Sequence, residues 1–130
     1  MMRQLSYSLA LCVSMLAGAA HAGNWNVPTA AKDLKNPVKA ESATLKNGTA
    51  VYVKHCARCH GDDGAGHGTE QRVDYDLRTI LAPLTDGELY WKITHGVGKM
   101  PSYAGTLTDE ERWLMVNHLK ALPPIKKARQ

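Results

Sequence analysis

The sequence predicts an all-α domain of three main helices joined by long loops. Three observations carry that expectation. Apolar residues recur at spacings of three and four in three separate stretches, ending near residues 56, 96 and 122. Two of those stretches open on a Thr-x-x-Glu capping box, at Thr85–Glu88 and Thr108–Glu111. No stretch alternates apolar and polar residues in the manner of a half-buried strand.

The first 22 of the 130 residues stand apart from that domain. Arg3 supplies a positive start, residues 5–20 are largely apolar, and Ala20-His21-Ala22 has the small-x-small pattern of a signal peptidase site. Residues 1–22 therefore read as a secretory signal cleaved after Ala22, which predicts a periplasmic protein. The rival reading is an uncleaved membrane anchor. The apolar run falls short of the roughly 20 residues a span takes, so no membrane insertion of the mature chain is expected. Cys12 leaves with the signal, and only Cys56 and Cys59 remain. The mature chain keeps 15 Lys+Arg against 12 Asp+Glu, a net charge of +3. Such mild basicity gives no reason to expect nucleic-acid binding.

Residues 23–40 contain Pro28, Pro37 and several lysines with no long period. They read as an extended lead-in, either wrapped on the domain or acting as a tether. The domain proper is expected over 41–122, with 123–130 as a tail. Its first helix begins near Glu41 and places Leu45, Thr49, Tyr52, Val53 and Cys56 on one face. Gly48 lies within it. A helical glycine costs about 1 kcal/mol against alanine, so close approach of a second helix is the natural reason for it.

Residues 61–68 (GDDGAGHG) are dense in glycine, which lets backbone pass close to a flat cofactor edge. The Lys-Ser/Thr ending and preceding strand of a phosphate loop are absent. Residues 70–83 read as irregular, with one helical turn around Leu77–Leu81. The helix from Thr85 presents Leu89, Tyr90 and Ile93, and Gly96 ends it. The loop from Gly96 to Tyr103 follows. The last helix presents Trp113, Leu114, Val116 and Leu119, and Pro123-Pro124 stops it.

The chemistry sits at Cys56-Ala57-Arg58-Cys59-His60. Two thiols three residues apart, followed at once by histidine, form the c-type haem attachment signature. Each thiol can add across one porphyrin vinyl group, and the adjoining imidazole can ligate the iron. A redox dithiol or half of a zinc site are the rivals. No further mature cysteine exists to complete a zinc site, and no strands surround the motif. One covalently bound haem c is therefore the expected cofactor.

A sixth iron ligand decides between carrier and catalyst. Met100-Pro101 lies in a glycine-punctuated loop, and a thioether sulfur favours ferrous iron and raises its potential. Met115, among apolar residues of the last helix, reads instead as core packing. Of the other histidines, His55, His67 and His118 read as exposed or hydrogen-bonded side chains. His95 is the competitor to Met100.

From about Ser42 to Leu122 the chain resembles the class I cytochromes c, in their small exported bacterial form. The likeness is carried by Gly48 and Tyr52 ahead of Cys56, the haem motif with Gly61, and Gly98-Lys99-Met100-Pro101. An aromatic on the last helix, Trp113, completes it. The resemblance implies a helix crossing formed by Gly48, Tyr52 and Trp113. It also implies His60 as proximal and Met100 as distal ligand. Many relatives place proline after the glycine loop, where Thr69 stands here. Which carbonyl orients His60 is therefore open.

A saturated iron implies a single-haem electron carrier, not an enzyme, working with redox protein partners. Two alternatives stay open: an electron-transfer subunit of a larger oxidoreductase, and a haem protein whose sixth ligand is displaceable. Lys54, Arg58 and Lys99 read either as a docking rim or as ordinary solvated charge.

Overall fold

The computed structural model describes residues 25–71, 73 and 75–124. The expected signal over 1–22 and most of the tail lie outside these residues. The helices are α1 (Thr29–Lys32), α2 (Ser42–His55), α3 (Ala57–His60), α4 (Leu77–Ile80), α5 (Asp86–His95) and α6 (Asp109–Lys120). Among the described residues there is no strand, only an isolated bridge between Val97 and Met100. The fold is all-α, as the sequence predicts.

Local chemistry sets the helix limits. Glu41 precedes α2, and its N–H donates to Thr44 Oγ1 at 2.9 Å. Both Thr-x-x-Glu boxes form. The Glu88 N–H donates to Thr85 Oγ1, and the Glu111 N–H to Thr108 Oγ1, each at 3.2 Å. The carboxylates answer by accepting the Thr85 and Thr108 N–H groups, each at 2.8 Å. Gly96 ends α5 at φ 63°, a left-handed conformation that glycine takes without steric cost.

The core is organised around α6. Six consecutive residues of this helix, Arg112 to Asn117, are buried. A surface helix buries one stripe; a run without period means enclosure on all sides. α2 crosses one face, where Gly48 lies against the Leu114 backbone and His118. α5 covers another, where Tyr90 stacks on Trp113 with centroids 4.0 Å apart. The lead-in covers a third.

The crossing differs from expectation in two respects. The ring packed on Tyr52 is His118, with centroids 4.5 Å apart, while Trp113 stacks on Tyr90. Leu114 and His118 stand one turn apart and share the face toward α2. Trp113 lies about 100° round from Leu114 on a helix of 3.6 residues per turn. On α2, Gly48 and Tyr52 are buried, whereas Val53 is 54% exposed and Thr49 is exposed. Helices that meet at a glycine touch along a narrow strip, and Val53 falls outside it.

The lead-in is a wrap. Its α1 turn, too short to leave a periodic signal, seats Ala31 against Gly87, where a Cβ would collide with the Ala31 carbonyl oxygen. The Thr85 hydroxyl donates to the Lys32 carbonyl at 2.9 Å. The Lys92 ammonium lies 4.7 Å from the Trp25 ring centroid. Asn36 then reaches α6, donating to Trp113 O at 3.0 Å and Asn117 Oδ1 at 2.9 Å.

Candidate haem site

Helix α2 runs almost directly into the motif. Cys56 ends α2 in helical conformation and α3 follows at once. The Cys59 and His60 N–H groups donate to Cys56 O at 3.1 and 3.0 Å. Cys59 and His60 therefore follow Cys56 at i+3 and i+4 along helical backbone. These are the offsets that bring side chains to one face. The two thiols and the imidazole are gathered on one side of a single turn.

Both thiols are free and half-buried. Burial, and then the neighbouring Cys59, push the Cys56 thiol up to about 12. Burial alone holds the His60 imidazole below its ordinary value, so the ring is neutral at pH 7 with a lone pair available to a metal. His60 Nδ1 is buried and has no hydrogen-bond partner among the described residues. The Tyr75 ring stands 6.0 Å from the His60 ring.

The glycine loop folds back against the motif. The Gly66 N–H donates to His60 O at 2.8 Å, and the Glu70 and Gln71 N–H groups donate to Arg58 O at 3.0 and 3.2 Å. Gly68 meets the Arg58 and Cys59 backbone so closely that a Cβ there would overlap Arg58 O. This close approach is what the glycine-rich stretch permits, and it is to the motif's own backbone.

Met100 sits in a clamped turn. Val97 and Met100 exchange backbone hydrogen bonds at 3.0 and 2.9 Å. The Met100 and Pro101 backbone packs on Gly96, leaving no room for a Cβ there. The chain then returns to α5: the Ser102 hydroxyl donates to Thr94 O at 2.6 Å, and the Tyr103 N–H to Ile93 O at 3.1 Å. Met100 is half-buried against the hydrophobic core. Met115 is 1% exposed in that core.

Tyr103 links the two halves of the site. Its hydroxyl donates to His55 O at 3.0 Å, joining the segment after Met100 to the residue before Cys56. Burial, then the Cys56 side chain, raise its phenol. Nothing local in the sequence marks Tyr103 for this role, because its partner is 48 residues away.

Among the described residues the other histidines are engaged elsewhere or exposed. His95 is exposed, stacks on Trp91 at 4.1 Å, and its Nδ1 lies 2.8 Å from Trp91 O, a hydrogen bond within its own helix. His118 Nδ1 lies 3.1 Å from Thr49 Oγ1. The His55 ring meets the Tyr103 edge at 6.1 Å. His67 is exposed on the glycine loop.

Residues 43–119 match the family described as cytochrome c oxidase, cbb3-type, subunit III. The chain belongs to the c-type cytochromes of class I. As a member of that family it carries covalently bound haem c. This c-type cytochrome is 29% identical over 72 residues to cytochrome c6 of Thermosynechococcus vestitus, covering 55% of this chain and 64% of the relative. It is 32% identical over 79 residues to cytochrome c6 of Picosynechococcus, covering 55% of this chain and 68% of the relative. The chain thus spans somewhat under two thirds of the first of these relatives. Among solved structures, a chain of the reducing HAO-like protein complex of Kuenenia stuttgartiensis superposes with TM-score 0.57 and 25% identity. That match covers 66% of this chain and 46% of the other. Cytochrome cL of Methylophaga aminisulfidivorans shares the fold, with TM-score 0.53 and 19% identity, over 62% of this chain and 56% of its own.

The donor set suits the cofactor. Two thiols lie at thioether spacing beside an imidazole that burial keeps neutral, and a soft thioether is carried on a clamped turn.

Proposed function

We propose that the mature chain is an exported single-haem electron carrier, in which Cys56 and Cys59 would attach the haem through thioethers and His60 and Met100 would ligate its iron. The observation that carries this reading is the clamped Met100 turn, pinned to α5 on one side and to His55 through Tyr103 on the other. When bound, the group supplies a one-electron Fe(II)/Fe(III) couple. The chain's residues do the rest. Cys56 and Cys59 fix the cofactor's position, His60 supplies a neutral nitrogen, and Met100 supplies a soft sulfur that favours the reduced state. With its backbone clamped, Met100 would keep its sulfur available to the iron and leave no position open for a substrate, the arrangement of a carrier and not of an enzyme.

Export to the periplasm is part of the proposal and rests on the signal-like residues 1–22. Among the described residues no helix is long and apolar enough to cross a membrane. The proposed domain is 41–122, with 25–40 packed onto it and 123–130 as tail.

The test is exposure of the purified ferrous protein to carbon monoxide. An unchanged absorption spectrum, together with a reversible one-electron titration, is expected. Rapid CO binding would overturn the carrier reading in favour of a displaceable sixth ligand.

A second reading, as an electron-transfer subunit, is favoured by the likeness to a chain of the Kuenenia complex and to a family named for an oxidase subunit. Native mass of the protein from its own periplasm separates the two: a monomer supports the free carrier, a larger assembly the subunit.

A further inference from the structure

We propose that Tyr52 is a positioning residue for the proximal ligand, its hydroxyl locking the peptide that follows His60. This rests on the reading of His60 as an axial ligand. A ligating histidine is ordinarily oriented by a hydrogen bond from its second ring nitrogen. Among the described residues His60 Nδ1, though buried, has no partner, so the hold on the imidazole comes from the backbone that carries it.

That backbone is held at five points. The His60 N–H donates to Cys56 O at 3.0 Å, the Gly66 N–H donates to His60 O at 2.8 Å, the Gly61 N–H donates to Ala57 O at 2.8 Å, and the Gly64 N–H donates to Gly61 O at 3.2 Å. The fifth is the Tyr52 hydroxyl, which donates to Gly61 O at 2.7 Å, the shortest of the five. It is the one hold made by a side chain, and it comes from α2. Gly61 has φ 77°, where glycine is free to turn in ways other residues are not. Gly61 is buried, so loss of the hydroxyl would leave its carbonyl the longer bond from the Gly64 N–H and no water to replace the shorter one.

The hydroxyl is itself well aimed. Tyr52 is wholly buried, its ring lies 4.5 Å from that of His118, and burial raises the phenol far above its usual range, so it stays protonated and donating. A phenylalanine at this position would fill the same space. The hydroxyl therefore serves orientation where the ring serves packing.

Tyr52→Phe in the haem-loaded protein tests this. The g values of the ferric protein in electron paramagnetic resonance, which report the setting of the proximal imidazole, are expected to move. Amide exchange at Gly61 and Gly66 is expected to rise about tenfold relative to amides of α5, the amount that one lost hydrogen bond implies. Ile93→Val serves as the packing control. Unchanged g values with exchange raised only as in Ile93→Val would overturn the proposal. If Tyr52→Phe does not fold, the wild-type protein decides: a slowly exchanging Tyr52 hydroxyl proton close to Gly61 supports the hold, and a rapidly exchanging one removes it. A wild-type ferric protein that is not low-spin would instead overturn the ligation reading, which keeps the two failures distinct.

Discussion

Asn36 and Asn117 face each other across the boundary between the lead-in and the last helix. Asn36 Nδ2 donates to Asn117 Oδ1 at 2.9 Å, and Asn117 Nδ2 donates to Val38 O at 2.9 Å. Asn36 Oδ1 accepts the Val38 N–H at 2.9 Å. The two amides thus close a small network that holds residues 36–38 on α6.

Removing one member strands the others. Asn117 is 8% exposed, so Asn117→Ala leaves the Val38 carbonyl and an Asn36 N–H without their partner in a half-buried place. A loss of about 1–3 kcal/mol is expected, read as a lower thermal midpoint of the holoprotein. The same change should raise proteolytic cleavage within residues 25–40. A midpoint within error of the wild type would mean the lead-in contributes nothing to the fold.

Gly48→Ala tests the helix crossing. Alanine gains about 1 kcal/mol in helix propensity. Against that, its Cβ collides with the Leu114 carbonyl oxygen and presses on His118 Cβ at 3.1 Å. A backbone atom in the middle of α6 cannot yield without moving the helix, so the overpacking cost of about 1–3 kcal/mol prevails. The thermal midpoint should fall by several degrees. A rise would show that the helices stand further apart than described.

The His118 ring gives stability a pH dependence. It lies against Tyr52 from α2 and beside Thr49, and its Nε2 is buried without a partner among the described residues. Burial holds the imidazole below its ordinary value. The unfolded chain therefore takes up the proton first on acidification. This contribution is complete above the ordinary value of about 6.5 and is lost as pH falls below it, levelling off once the folded imidazole also protonates. Thermal midpoints measured between pH 7.5 and about 5, above the carboxylate range, should fall in the wild type and fall less in His118→Gln. Equal slopes in both proteins would contradict the account.

The legible parts of the fold were the local ones. The capping boxes at Thr85 and Thr108 involve residues three apart and read directly as hydrogen bonds. Cys56, Cys59 and His60 are a single helical turn, so their chemistry is written in consecutive residues. Gly48 signalled a close crossing because its cost needs a reason. The rest depended on distant pairs. The resemblance implies Trp113 at the crossing with Gly48 and Tyr52, yet which face of α6 meets which helix is fixed by the packing of three elements at once. The Asn36–Asn117 network spans 81 residues and the Tyr103–His55 link 48, and neither leaves a pattern in either stretch alone. Val53 fitted the helical period and is exposed because a narrow crossing buries less of α2 than periodicity allows.

The most direct test of the central claim is absorption spectroscopy of the ferric protein, wild type against Met100→Ala. Ligation by Met100 predicts a near-infrared sulfur-to-iron band in the wild type that is absent from the variant, with a low-spin spectrum becoming high-spin or water-ligated. A wild-type spectrum without that band, or a variant spectrum identical to the wild type, would contradict the assignment of Met100 and with it the reading of a saturated electron carrier.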